Sequence, residues 1–249
     1  MPTPLSYNEA DVSDKPRWIW KLPRVDSNCS TEAFFLDCHR QVVEEWRARQ
    51  EALKSVDVMV NDLVSALAQT NQLDNTYIIF ASDNGYLLYR HRVYSKGAPY
   101  EESQGVPFVM RGPGVQRGNV SHKLIANIDL APTIAELARV PTPLYVDGRS
   151  LVPLLEGAAA SWRQYLLFES YWIKNLHHAY GGVRTAGGET YIEYKSGEKE
   201  YYDLRTDPWQ LESGHADREN AQRIGELSAH LSELKSCARE SCRSADGGP

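Results

Sequence analysis

The chain has 249 residues, 42% of them hydrophobic and 24% charged, and its 27 basic and 33 acidic residues leave a net charge of −6. That length and balance suit one or two globular domains with a sizeable core and point away from nucleic acid and anionic membrane surfaces as partners. No apolar stretch approaches the roughly 18 residues of a membrane span, and Met1-Pro2-Thr3-Pro4-Leu5-Ser6 has neither the basic nor the apolar region of a signal peptide.

His39 to about Gln69 reads as one long helix. Val42, Val43, Trp46, Leu53, Val56, Val60, Leu63, Val64 and Leu67 recur at helical spacing, and Glu44, Glu45, Arg47, Arg49 and Glu51 read as its solvated face. Thr76-Tyr77-Ile78-Ile79-Phe80-Ala81 follows as a short β-branched and aromatic run, the pattern of a buried strand, and ends in Ser82-Asp83-Asn84-Gly85. Val106-Pro107-Phe108-Val109-Met110 is a second strand, with Pro107 placing it at an edge or at a strand start. Asp129 is positioned to N-cap a helix over about Leu130 to Ala138, with Pro132 in its first turn. Strand, loop, strand and helix in alternation predict an α/β layer.

After about Gly157 the pattern changes to short strands at Tyr165–Phe168, Gly182–Thr185, Thr190–Tyr194 and Glu200–Leu204, the last two joined by a hairpin-type connection over Lys195–Lys199. A final helix runs from about Asn220 to Cys237. This predicts a small antiparallel sheet with one helix, appended to an α/β part, with a division between residues 1–157 and 158–249. Cys237 and Cys242 suit a small-loop disulfide. With Cys29 and Cys38, and with acceptor patterns at Asn28-Cys29-Ser30 and Asn119-Val120-Ser121, they point toward an oxidising, glycosylating compartment.

The segment from Asp83 to Lys96 holds the side chains with chemistry. In α/β sheets ligands gather beyond the carboxyl ends of strands. Adjacent carboxylate and amide oxygens at Asp83 and Asn84 suit a hard divalent cation. His91, Arg92 and Lys96 follow in the same loop, and a metal beside an imidazole and an ammonium makes a cradle for a tetrahedral oxyanion. Ser82, Asp83, Asn84 and Gly85 also all favour turns, and composition alone favours the turn.

Taken together, Phe80-Ala81-Ser82-Asp83-Asn84-Gly85-Tyr86, His91, Lys96, Pro99-Tyr100-Glu101-Glu102, Val106-Pro107-Phe108 and Arg111-Gly112-Pro113-Gly114-Val115 resemble the sulfatase family, in the branch with arylsulfatases and N-acetylglucosamine-6-sulfatases. The likeness extends upstream to Glu9–Pro16 and Leu73–Thr76. It extends downstream to Asn127–Thr133, Asp147–Leu151, Glu200–Leu204 and Asp207-Pro208. It implies a partial alkaline-phosphatase-like α/β core of three layers. It implies that Asp83 and Asn84 bind calcium, with magnesium as the alternative, that Lys96 contacts the sulfate, and that His91 lies near the same pocket as a catalytic or substrate-binding group. Leu87, Tyr89 and Gly105 depart from the branch, at positions where His, Gly and Arg are usual.

Family sulfatases use a formylglycine made within a Cys/Ser-x-Pro-x-Arg motif, and no cysteine here is followed by that pattern; Cys38-His39-Arg40-Gln41 does not fit. The family's paired N-terminal aspartates and its upstream histidine are absent with it. The expectation is therefore a sulfuric ester hydrolase acting on aryl or amino-sugar sulfate esters, of which this chain supplies the metal- and sulfate-binding C-terminal half and is inactive alone. The resemblance implies a sulfated small molecule or glycan as partner, association through exposed core edges, and a secreted or lysosomal full-length form. Alternatives are a non-catalytic protein binding sulfated glycans or a protein partner, and a metal-dependent phosphatase or phosphodiesterase relative. His177 and His178 read as a solvent-exposed pair, and Trp162, Trp172 and Trp209 read as packing residues rather than a sugar-stacking surface.

Overall fold

The structure, a computed structural model, describes residues 1–25, 38–142, 145–157, 161–171 and 179–248. After the short helix α1 (Arg17–Trp20), α2 runs over His39–Gln69, the range its periodicity predicted. Val42 is the residue that α2 buries fully, whereas Leu53 and Leu63 remain 49% and 46% exposed. The first turns of α2 are anchored. Glu45 accepts a hydrogen bond from the Tyr94 hydroxyl at 3.1 Å, and the Arg49 guanidinium lies 3.9 Å from the Tyr86 ring centroid. Glu45 and Arg49 also pair with each other. These two charges thus leave the solvated face because aromatic side chains of the following loop offer them partners.

Strands β1 (Ile78–Ala81) and β2 (Phe108–Arg111), with helix α3 (Glu101–Gln104) between them in sequence, form a two-stranded antiparallel ribbon. The run around β1 reads as a buried strand, but Phe80 is 41% exposed and its cross-strand partner Val109 is 63% exposed. Among the described residues no further strand joins the ribbon, and apart from Phe80 and Val109 its residues are half-buried. Pro107 directly precedes β2, where its missing N–H costs no ladder bond.

Helix α4 (Leu130–Leu137) leads out of a 3-10 turn over Asn127–Asp129. Asp129 occupies the N-cap position but makes no side-chain cap bond. Its carboxylate instead receives both terminal nitrogens of Arg163, at 2.7 and 2.8 Å. A bidentate charge-assisted pair is stronger than one bond from a backbone N–H, and Asp129 has no exposed surface from which to choose otherwise. Arg163 also donates to Asp246 at 3.0 Å, and Asp246 accepts from Arg149, giving a buried network of two carboxylates and two guanidinium groups. Trp162 packs beside it, 3% exposed, with Nε1 donating to the Leu124 carbonyl at 2.6 Å. Trp209, by contrast, is 39% exposed. Asn28, Cys29, Trp172, His177 and His178 lie outside the described residues.

Beyond α5 (Val152–Leu155), strands β3 (Tyr165–Ser170), β4 (Tyr180–Thr185), β5 (Glu189–Tyr194) and β6 (Lys199–Asp203) form one antiparallel sheet in sequence order. Helix α6 (Ala221–Ser236) lays Ile224, Leu227, Leu231 and Leu234 against Val183, Tyr191 and Tyr201 on one face. The other face packs Tyr180, Ile192, Tyr194 and Tyr202 against Ile19, Leu87, Val93, Ala98 and Tyr100. That second core fixes the loop carrying the chemistry to the sheet. The Cys237–Cys242 disulfide forms as predicted and leads into α7 (Glu240–Ala245).

Candidate functional site

Asp83 and Asn84 stand just past the carboxyl end of β1. The Asp83 carboxylate accepts the Asn84 N–H at 2.9 Å, and Asn84 Oδ1 accepts from Lys96 Nζ at 2.8 Å. Asn84 Nδ2 is turned to the Gly85 carbonyl at 2.9 Å, so the amide oxygen faces the lysine. Asp83 and Lys96 are both exposed. The structure therefore brings a carboxylate, an amide oxygen and an ammonium to one strand end.

Two neighbours shape this corner. Asn127 Nδ2 donates to the carbonyls of Ser82 and Asp83, at 3.2 Å each. Sequence reasoning missed this role, although Asn127 opens the family-like segment Asn127–Thr133. Gly85 has negative φ and is required by proximity rather than by a turn: a Cβ there would lie 2.0 Å from the Glu102 carbonyl oxygen. Its N–H donates to the Ser103 carbonyl at 3.0 Å, closing the approach.

The loop between Asn84 and Lys96 is tightly wound. Leu88, Tyr89, His91 and Arg92 all have φ between 47° and 65°, the left-handed region that non-glycine residues seldom enter. Contacts from the chain start hold it there. His91 N–H donates to the Ser6 carbonyl at 2.7 Å, and Asn8 N–H to the Tyr89 carbonyl at 2.8 Å. Arg92 Nε donates to the Glu9 carbonyl at 2.9 Å.

His91 has no exposed surface. Its ring stacks on Tyr100 with centroids 3.9 Å apart, its Nδ1 lies 2.7 Å from Glu9 Oε2, and its Nε2 lies 3.7 Å from Glu102 Oε2. Burial works against a charged imidazole, but bonding to Glu102 and Glu9 and their negative charge prevail and raise its pKa above the ordinary value. Burial pushes the Glu102 carboxyl up, yet His91 and the Ser6 hydroxyl, which donates at 2.8 Å, hold it below the ordinary value. Buried Lys15 joins this group, 3.7 Å from Glu9 and 2.8 Å from Asp14. Behind it Glu200, also without exposed surface, receives the hydroxyls of Tyr100, Tyr194 and Tyr202 at 3.0, 2.5 and 2.6 Å. Burial raises the Glu200 pKa against the opposing charge of Lys15 and the three hydroxyls.

Chemically, Asp83 and Asn84 are hard oxygen donors of the kind calcium and magnesium prefer. Calcium takes about 6–8 oxygens, and among the described residues no group of three or more His, Cys, Asp or Glu side chains gathers to hold a metal. Two donors and a lysine fit one side of a cation–oxyanion site. His91 is set apart from that corner by its burial and by its carboxylate partners.

Comparison with known proteins agrees across sequence and structure. A family model described as N-sulphoglucosamine sulphohydrolase, C-terminal, matches residues 90–237, and one described as Sulfatase matches residues 17–140. The human N-acetylglucosamine-6-sulfatase is 32% identical over 232 residues, which cover 80% of this chain and 42% of that protein. A putative sulfatase from Bacteroides thetaiotaomicron superposes with a TM-score of 0.76 at 26% identity, over 99% of this chain and 53% of that one. A protein solved in complex with its substrate D-glucosamine-2-N,6-O-disulfate superposes with a TM-score of 0.69 at 30% identity, over 78% of this chain and 40% of that one. The chain thus spans less than half the length of the curated relatives it matches first. Its α/β class is that of these folds.

Proposed function

The chain belongs to the sulfatase family, and on that premise we propose that it supplies the metal- and sulfate-binding part of a sulfuric ester hydrolase acting on aryl or amino-sugar sulfate esters. The observation that carries this reading is the 2.8 Å contact of Lys96 Nζ with Asn84 Oδ1, beside the Asp83 carboxylate at the end of β1. Asp83 and Asn84 hold the cation, calcium or else magnesium. Lys96 places a positive charge where a sulfate oxygen would lie. A bound cation supplies charge stabilisation on the sulfate. His91 enters the reading as a positioning residue, since its ring is enclosed and its carboxylate partners fix the loop that carries Lys96.

The amino-sugar preference is supported by the human relative's name and by the disulfated glucosamine bound to the solved neighbour. The residues divide between a metal-binding part, 1–157, and a sheet-and-helix part, 158–249, that braces it. A formylglycine supplied from elsewhere would be the nucleophile, because no Cys-x-Pro-x-Arg or Ser-x-Pro-x-Arg run occurs in this sequence. Alone, the chain does not turn over substrate.

Two measurements test this. The purified chain is assayed on a chromogenic aryl sulfate with and without calcium; metal-dependent hydrolysis rejects the proposed inactivity. Terbium luminescence is then titrated against wild type and Asp83→Ala. Terbium binding that the substitution removes supports the metal site, and binding that it leaves unchanged rejects it.

A further inference from the structure

A cavity of about 270 Å³ lies where Ser13–Pro16 and α1 meet the β5–β6 turn and His215. We propose that it binds one uncharged pyranose unit of a carbohydrate, with the indole of Trp20 as the stacking surface. Its lining shares no residue with the Asp83, Asn84 and Lys96 corner, so the site stands apart from the metal-and-sulfate reading.

The aromatic surface gives the first argument. Trp20 closes α1, is 49% exposed and borders the cavity. An indole presents a broad apolar face with one polar N–H at its edge. The C–H face of a pyranose is complementary to it, being flat, apolar and of similar width. Trp209, 39% exposed, is not among the residues lining this cavity.

The charges give the second. Two carboxylates, Asp14 and Glu198, and two ammonium groups, Lys15 and Lys199, line the cavity and cancel. Each is also engaged already. Lys15 lies 2.8 Å from Asp14 and Lys199 lies 3.7 Å from Glu193. Glu198 accepts the Arg17 N–H and the Ser196 hydroxyl, each at 2.7 Å. A sulfate or a cation entering here would lose its hydration without meeting an uncompensated opposite charge.

Hydrogen bonding is what the cavity has left to give. Asp14 receives Lys15 and the Ser213 N–H on Oδ2, and among the described residues no bond reaches Oδ1. The Ser213 hydroxyl accepts the Tyr201 N–H at 3.0 Å and keeps its own proton for His215 Nδ1, 2.9 Å away. The neutral imidazole then carries its proton on Nε2. An acceptor at Asp14 and a donor at His215 suit sugar hydroxyls, which are donor and acceptor at once.

The same bonds fix the walls. Glu198 ties the β5–β6 turn to α1 across 181 residues, and Asp14 ties the chain start to Ser213 across 199. Walls held in this way spare the ligand the cost of ordering them. The volume falls below the roughly 300–1,000 Å³ of sites for drug-sized ligands, which limits the occupant to a single ring. The unit held here is therefore one that carries no sulfate.

Titration of the full chain with N-acetylglucosamine, galactose and mannose, followed by its indole N–H resonances, tests this, with inorganic sulfate as the charged probe. At least one sugar should shift the Trp20 resonance with a dissociation constant of about 1 mM, as expected of so small a ligand, and sulfate should not. Trp20→Ala should weaken binding about tenfold or more, read by saturation transfer to the sugar, whereas Trp209→Ala and Asp83→Ala leave it unchanged. If Trp20→Ala lowers the melting temperature, His215→Ala, which removes the Nε2 donor, takes its place with the same expectation. A Trp20 resonance unmoved by all three sugars, or moved by sulfate, overturns the proposal. So does binding that survives the substitution in a folded chain, or binding that Asp83→Ala abolishes.

Discussion

His91 Nδ1 and Glu9 Oε2 lie 2.7 Å apart across 82 residues of sequence, inside a pocket with no solvent at the ring. The imidazole pKa is raised above its ordinary 6.5, so its stabilising contribution is complete below that value and is lost as pH rises through the folded pKa. Glu102 is lowered below its ordinary 4.5, so its contribution is present above that value and is lost as pH falls through its folded pKa. Thermal unfolding followed against pH should show greatest stability between about 4.5 and 6.5, with a decline on the alkaline side. His91→Phe should remove the alkaline decline and cost about 3 kcal/mol, the usual penalty for stranding a buried partner. An alkaline decline of the same size in the variant contradicts this assignment.

Arg163→Met leaves the buried Asp129 without a charged partner and takes one of two guanidinium partners from Asp246, which keeps Arg149, and should destabilise the chain by roughly 3–5 kcal/mol in urea unfolding. Arg163→Lys should recover little of that, since an ammonium cannot reproduce the two parallel bonds to Asp129. Full recovery by lysine would show that charge alone is what matters there.

Gly85→Ala places a methyl group 2.0 Å from a backbone oxygen, which cannot swing away as a side chain would. The expected cost is about 1–3 kcal/mol, measured by chemical denaturation. Because the displaced strand end carries Asp83, terbium affinity should fall with it.

Asn127→Ala removes both bonds to the Ser82 and Asp83 carbonyls while leaving every proposed metal donor in place. Loss of a group that orients ligands lowers metal affinity by about 10–100-fold, and the expected fall in terbium affinity is about tenfold, with little change in melting temperature. Unchanged affinity would mean that the Asp83 loop holds its shape without this bracket.

Much of the fold is legible in the sequence because it is encoded locally. The periodicity from His39 gives α2 to its last residue, and the alternation after Tyr165 gives the four-stranded sheet and the hairpin between β5 and β6. What cannot be read is long-range. Asp129 looks like a helix cap until Arg163 arrives, and β1 looks buried because a β-branched run is the same string whether or not a layer covers it. The site divides in the same way. Asp83, Asn84 and Lys96 stand close in sequence and meet in space, whereas the Asn127 bracket and the enclosure of His91 depend on contacts more than forty residues apart.

The left-handed run at Leu88, Tyr89, His91 and Arg92 has a consequence for the order of assembly. Each such residue is disfavoured by about 1–2 kcal/mol on its own, so the loop has no inherent tendency to take this shape. Its template is the stretch Ser6–Glu9, which donates or accepts the bonds that hold Tyr89, His91 and Arg92. Ser6–Glu9 must therefore wait for a segment some eighty positions later before either is structured. Amide exchange across this junction should report a single cooperative opening, with both strands of it released together and faster than the sheet on which they rest.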